Sequence, residues 1–256
     1  MLNLSFKLYN VWKRNLISYK RFVIPTLLVS FGEPLLYLIA FGVGLGAYVT
    51  GLGGKTYLAF LASGLIITSA MLSSSFECLY GTFIRMTHEK IFSSLIVTPA
   101  SAEDVVAGEI MWAITRGLIS GVLMFLVALL LGIAPPNLLM ALFLFVTVVA
   151  VGFLFSSLSM IVTAFSPNFD FFSYYTELVV TPMFFFSGAF FPLDKSPEIL
   201  KILANFLPLT HAVIISRALF AGNLSIGLLW HFLVLIIPAI IAFYFAVYFM
   251  KRRIIK

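Results

Sequence analysis

Residues 184–213 read FFFSGAFFPLDKSPEILKILANFLPLTHAV. Three phenylalanines open a segment that belongs in lipid, Ser187-Gly188 and Pro192 interrupt it, and two apolar runs follow, each too short to cross a bilayer. A spanning helix needs about 20 apolar residues. Irregular backbone at membrane depth survives only where protein or a water-filled cavity satisfies its hydrogen bonds. The stretch therefore predicts an all-α membrane bundle in which a broken fifth span leads into two re-entrant helices, at 198–206 and 210–221.

Composition agrees. The 256 residues are 62% hydrophobic and 10% charged, against about 45–50% and about 25% in soluble domains. With one cysteine, Cys78, the chain has no intramolecular disulfide and no cysteine cluster for zinc. The net charge of +6 gathers at the two ends, beside apolar spans. That position suits anionic lipid headgroups and not nucleic acid.

Outward from the quoted stretch, apolar runs predict spans at 22–48, 57–81, 110–132, 138–165, 174–191 and 226–250, six in all. Ahead of them, Leu4, Leu8, Val11, Trp12, Leu16 and Tyr19 share one helical arc, while Lys7, Lys13, Arg14, Lys20 and Arg21 occupy the rest. Residues 1–21 thus read as an interfacial helix. A cleaved signal peptide is the alternative, but the apolar run that follows is far longer than the 7–15 residues of such a segment. With both ends inside, eleven basic residues lie on the cytoplasmic side and four (Lys55, Lys195, Lys201, Arg217) outside. This is the expected bias for cytoplasmic termini.

Charges inside the spans need partners. Glu33, followed by Pro34, serves either a helix-to-helix hydrogen bond or a substrate path. Arg116 either snorkels or meets a bundle carboxylate. Glu77 and Glu177 complete a set that an ion- or proton-driven carrier would use. The glycine run ending in Gly54-Lys55-Thr56 is not a phosphate loop, because Val49 stands where a glycine is required and a span replaces the preceding strand. The looser dinucleotide pattern at 42–47 fails on the same context. His88, His211 and His231 fall in three separately assigned segments and are not expected to share a metal. No catalytic motif and no concentration of polar catalytic groups at one depth supports the other alternative, a lipid-modifying enzyme.

The longest polar segment, 85–109, carries Arg85, His88, Glu89 and Lys90, then Ile91, Phe92, Leu95 and Ile96, and stops at Pro99. A new helix starts at Ser101, with Glu103 and Asp104 in its first turn, where carboxylates suit the helix dipole. The short piece before it is either an ordinary connection or a docking knob for a cytoplasmic partner.

Several motifs stand together in order: Glu33-Pro34-Leu35-Leu36-Tyr37 with the glycines from Gly42, Thr82-Phe83-Ile84-Arg85-Met86, Glu103 to Glu109, Ser187 to Leu193, and Leu207-Pro208-Leu209-Thr210-His211. In these the chain resembles the ABC-2 type permeases, above all the branch of nodulation-factor (lipo-oligosaccharide) and drug exporters. The resemblance implies one transmembrane domain over 1–256, itself no enzyme and free of cofactors. It implies a homodimer in the inner (cytoplasmic) cell membrane, served by two copies of a separate ATPase that holds Mg-ATP. The cargo is an amphipathic lipo-oligosaccharide, lipid-linked glycan or drug, moved outward. A coupling segment then maps to 85–100, with Arg85, Met86, His88, Glu89, Lys90, Phe92 and Leu95 meeting the ATPase. An outer re-entrant segment maps to 192–222. Glu33, Glu177, Phe186, Ser187, Gly188, Phe190, Phe191 and His211 are the implied path and gate.

Overall fold

The computed structural model describes residues 5–21, 23, 25, 32, 34–45, 57–96, 98–193 and 196–255, and among them it contains helices and no strand. Helix α1 is Leu8–Lys20. Residues 34–45 are helical, wound as a π-helix over Leu38–Leu45. Then come α2 (Tyr57–Thr87), α3 (Ile91–Ile96), α4 (Ala102–Leu130), α5 (Leu138–Phe165) and α6 (170–186, with a π turn at Thr176–Val180). The last three are α7 (Glu198–Phe206), α8 (Pro208–Phe220) and α9 (Gly227–Ile254). Helices α2, α4, α5 and α9 are long and apolar enough to cross a membrane; α7 and α8, bent by 93°, make a fifth if counted as one. The fold is an all-helical multi-pass bundle. Of the expected first span, residues 22, 24, 26–31, 33 and 46–48, Glu33 among them, lie outside the described residues.

Helix α4 begins at Ala102, as the helix expected from Ser101 does, and runs unbroken into the span expected from 110; Ser101 closes a capping box, its hydroxyl accepting from the Asp104 N–H and its own N–H donating to the Asp104 carboxylate. Helix α6 stops at Phe186 rather than 191, since Gly188 turns the chain at φ +81°, a conformation closed to most side chains.

Apolar helices gain little from hydrophobic burial when lipid is the alternative, so close backbone approach holds them together. A Cβ at Gly117 of α4 would lie 2.9 Å from the Ala70 carbonyl of α2, and one at Gly121 would lie 3.0 Å from Val148 of α5. Around these contacts Leu65, Met71, Met124, Leu144, Phe155 and Val213 are fully buried. At one end of the bundle, Val11, Phe92 and Val105 form a small buried cluster capped by Met86, Leu95 and Ile254, so the first and last helices meet beside the α3 connection.

Candidate functional site

At that same end five charged side chains converge. Glu109 of α4 has no exposed side-chain surface; its Oε1 lies 3.0 Å from Arg14 Nη2 of α1, and its Oε2 lies 2.6 Å from Arg85 Nη2 of α2. Arg85 also reaches Glu77 Oε1 at 2.8 Å, and Arg116 Nε sits 3.3 Å from Glu77 Oε2. Asn15, Thr82 and Trp112 donate to the remaining acceptor sites. Every carboxylate oxygen is engaged, so the cluster is a joint between α1, α2 and α4, with no open acid or base.

Local winding builds the joint. Glu77 and Arg85 are eight residues apart, whereas two α-turns take about 7.2 residues. The π turn over Glu77–Gly81 absorbs the excess and brings the two side chains into line. Gly81 between them leaves the space, as a Cβ there would fall 2.5 Å from Glu77 Oε1.

Beyond Arg85 the chain leaves the bundle. His88, Glu89 and Lys90 are exposed, with Lys90 at φ +52° and the His88 ring stacked 5.5 Å from Phe169. Helix α3 follows, turning Phe92 into the bundle at 2% exposure and leaving Ser93 and Ser94 in the open.

A second constellation surrounds the end of α6. Phe184 and Phe190 stack edge to face at 4.8 Å, joined by Tyr37 at 5.4 Å and 5.7 Å and by Phe41 at 5.6 Å from Phe190. Carbonyls freed where the helix breaks find donors: Tyr57 Oη gives a 2.9 Å bond to Phe190 O, and the Arg217 guanidinium of α8 binds the carbonyls of Gly188 and Ala189. Gly64 of α2 packs against this turn so closely that a Cβ would lie 2.9 Å from the Ala189 backbone.

With this geometry in hand, comparison with known proteins decides the family. The sequence profile of the ABC-2 type transporters matches residues 7–221. The chain belongs to the ABC-2 type transporter family. Nodulation protein J of Sinorhizobium fredii is 39% identical over 247 residues, covering 96% of this chain and 93% of the relative. Nodulation protein J of Rhizobium leguminosarum bv. trifolii is 37% identical over 246 residues, with coverage of 96% and 93%. The inner membrane transport permease YadH of Escherichia coli is 26% identical over 246 residues, with coverage of 96% and 94%. An ABC-2 permease is a transport subunit, and its family implies an ATP-binding partner.

In this ABC-2 permease the sequence-derived site residues separate into two groups. Of the partner-facing set, His88, Glu89 and Lys90 are exposed, whereas Arg85 points into the joint and Met86, Phe92 and Leu95 face the small buried cluster. Of the path set, Ser187, Gly188 and Phe190 are buried at the α6 break, Phe191 is half-buried, and Glu177 and Phe186 are exposed along α6. Glu33 lies outside the described residues.

His211 and His231 are neighbours, Nδ1 to Nδ1 at 2.7 Å, a pairing that sequence reading did not foresee, because the start of α9 returns beside α8. His211 Nε2 lies 3.0 Å from Asn205 O. A carbonyl only accepts, so Nε2 carries the His211 proton and His231 Nδ1 donates. Among the described residues no group of three or more metal-binding side chains forms. Five charged side chains do gather in the joint, which sequence reading did not foresee, but with every carboxylate oxygen engaged they form no catalytic cluster. Sequence reading missed Glu109 and Arg14 there, and Arg217 at the break. The available signals were the seven-residue spacing of Glu109 and Arg116 along one helix and the isolation of Arg217 in an apolar run.

Proposed function

We propose that this permease is the membrane-spanning half of an ATP-driven exporter. It pairs with a second copy of itself and with two copies of a separate subunit that binds and hydrolyses Mg-ATP. The cargo is an amphipathic lipo-oligosaccharide, lipid-linked glycan or drug, carried outward across the inner membrane. In this reading the chain spans six times with both termini cytoplasmic: the helical stretch at 34–45 and α6 supply the first and fifth spans, and α7–α8 cap the outer side. The excess of basic residues on the terminus-bearing side supports that orientation.

The observation that carries the proposal is the exposed His88–Lys90 turn with α3, rooted through Arg85 in the charged joint. Helix α2 holds Arg85 and Glu77 near one end and Gly64 and Tyr57, which touch the α6 break, nearer the other. Closure of the partner subunits pushes α3, Arg85 delivers the push to α2 and α4, and α2 displaces the 187–191 turn as a rigid lever. Glu77, with both oxygens held, is poorly suited to a proton-driven carrier.

Affinity purification in mild detergent tests this reading. The wild-type chain is expected to retain an ATP-hydrolysing subunit, and the exchanged pair Glu89→Lys with Lys90→Glu to lose it while keeping its melting temperature. Undiminished retention together with intact export would end the proposal.

A further inference from the structure

Where the chain ends meet, the terminal turns of α5 and α9 and the first turn of α4 enclose a groove of about 1100 Å³. Its rim is cationic. Lys251 is neutralised by Glu103 at 2.6 Å, but neither Arg252 nor Arg253 forms an ion pair with a carboxylate among the described residues. Arg253 reaches the Thr163 carbonyl at the end of α5, which fixes one of its nitrogens and leaves others to donate. Arg252 is exposed and lies over the Tyr248 ring at 4.4 Å.

The wall is apolar. Phe165 and Phe249 pack at 4.8 Å across it, and the surface continues along α9 through Ile241 and Tyr244, each about half exposed. Two surplus guanidiniums above an aromatic wall that runs onto the lipid-facing flank of a spanning helix require a ligand with an anionic head and hydrocarbon tails. A soluble acidic peptide would satisfy the rim and leave the wall uncovered.

We propose that this groove is a binding site for one anionic phospholipid, its phosphodiester held by Arg252 and Arg253 and its acyl chains laid along Phe165, Phe249 and Tyr244. None of these residues belongs to the α6 break or the charged joint, so the site is separate from the proposed transport path. Bound lipid bridges α5 to α9 and stabilises the end of the bundle that carries α3. The inference rests on membrane residence alone and does not depend on ATP-driven export.

The test uses the purified full chain in mild detergent, with dioleoylphosphatidylglycerol or dioleoylphosphatidylcholine added, reading bound lipid by native mass spectrometry and melting temperature. Phosphatidylglycerol is expected to be retained in preference and to raise the melting temperature. Arg252→Gln is expected to lower its retention about fivefold, the effect of one interfacial charge, and Tyr248→Leu to lower it further. Lys13→Gln, an exposed cation on α1, serves as the control and should change nothing. Equal retention of the two lipids, or equal losses in Lys13→Gln and Arg252→Gln, would overturn the site. Displacement of the lipid by millimolar inorganic phosphate would reduce it to a bare anion site, and displacement by a soluble glutamate-rich peptide would reassign it to an acidic protein segment; either result overturns the proposal.

Discussion

Glu109 is held without exposed surface between Arg14 and Arg85, and a carboxylate so placed is stable only while both guanidiniums stay. Arg85→Met is therefore expected to lower stability by about 3–5 kcal/mol, the cost of an uncompensated buried charge. Pairing it with Glu109→Gln should recover part of that loss, a non-additivity that scanning fluorimetry of the detergent-solubilised variants would reveal. Gly64→Ala acts elsewhere: a methyl group 2.9 Å from the Ala189 backbone must displace the α6 break, because no flexible side chain is there to yield. Export is expected to fall while partner retention holds; a Gly64→Ala chain with wild-type export would separate this contact from gating. These residues were unevenly legible. A bundle carboxylate was one of the two outcomes expected for Arg116, and Glu77 supplies it. Glu109 read only as the acid closing the polar segment 85–109, because its partners lie 95 and 24 positions away in sequence.

Among the elements, α3 with its preceding turn and the α7–α8 pair carry the proposed work. The α7 limits follow from Pro197 before Glu198 and Pro208 after Phe206, and they were readable directly. The break of α6 was readable in Ser187-Gly188 and its limit was not, since the span was drawn on to Phe191 whereas Gly188, at positive φ, stops the helix at Phe186. The π turns were also hidden: nothing in Glu77-Cys78-Leu79-Tyr80-Gly81 announces an extra residue per turn, yet it sets the Glu77–Arg85 register. The two histidine contacts make a contrast at this scale. His231→Phe leaves His211 Nδ1 without its donor and should loosen α8 from α9 at a cost of about 1–3 kcal/mol. His88→Phe keeps the ring stack with Phe169 and should leave the melting temperature unchanged. Comparable shifts in the two variants would contradict this assignment.

For the whole molecule, the sequence made the all-helical multi-pass class legible through composition and run length, while the orientation remains a proposal drawn from its basic residues. It did not disclose that α1 docks on α4 through Val11, Asn15 and Trp12, because an amphipathic arc does not say whether lipid or protein covers it. Topology is open to direct measurement. In a Cys78→Ala background, a membrane-impermeant maleimide added to intact cells is expected to label Ser225→Cys and to reach Ser93→Cys only after permeabilisation; the reverse pattern would invert the bundle.

The meeting of the first and last helices has a consequence for biogenesis. Ile254 closes the cluster that seats Phe92, and Lys251 clasps Glu103 beside it, so the platform under α3 stays unfinished until the last turns of α9 have been synthesised and packed. Under the proposed coupling, a molecule cut before Lys251 would offer the partner subunit a loosened footing.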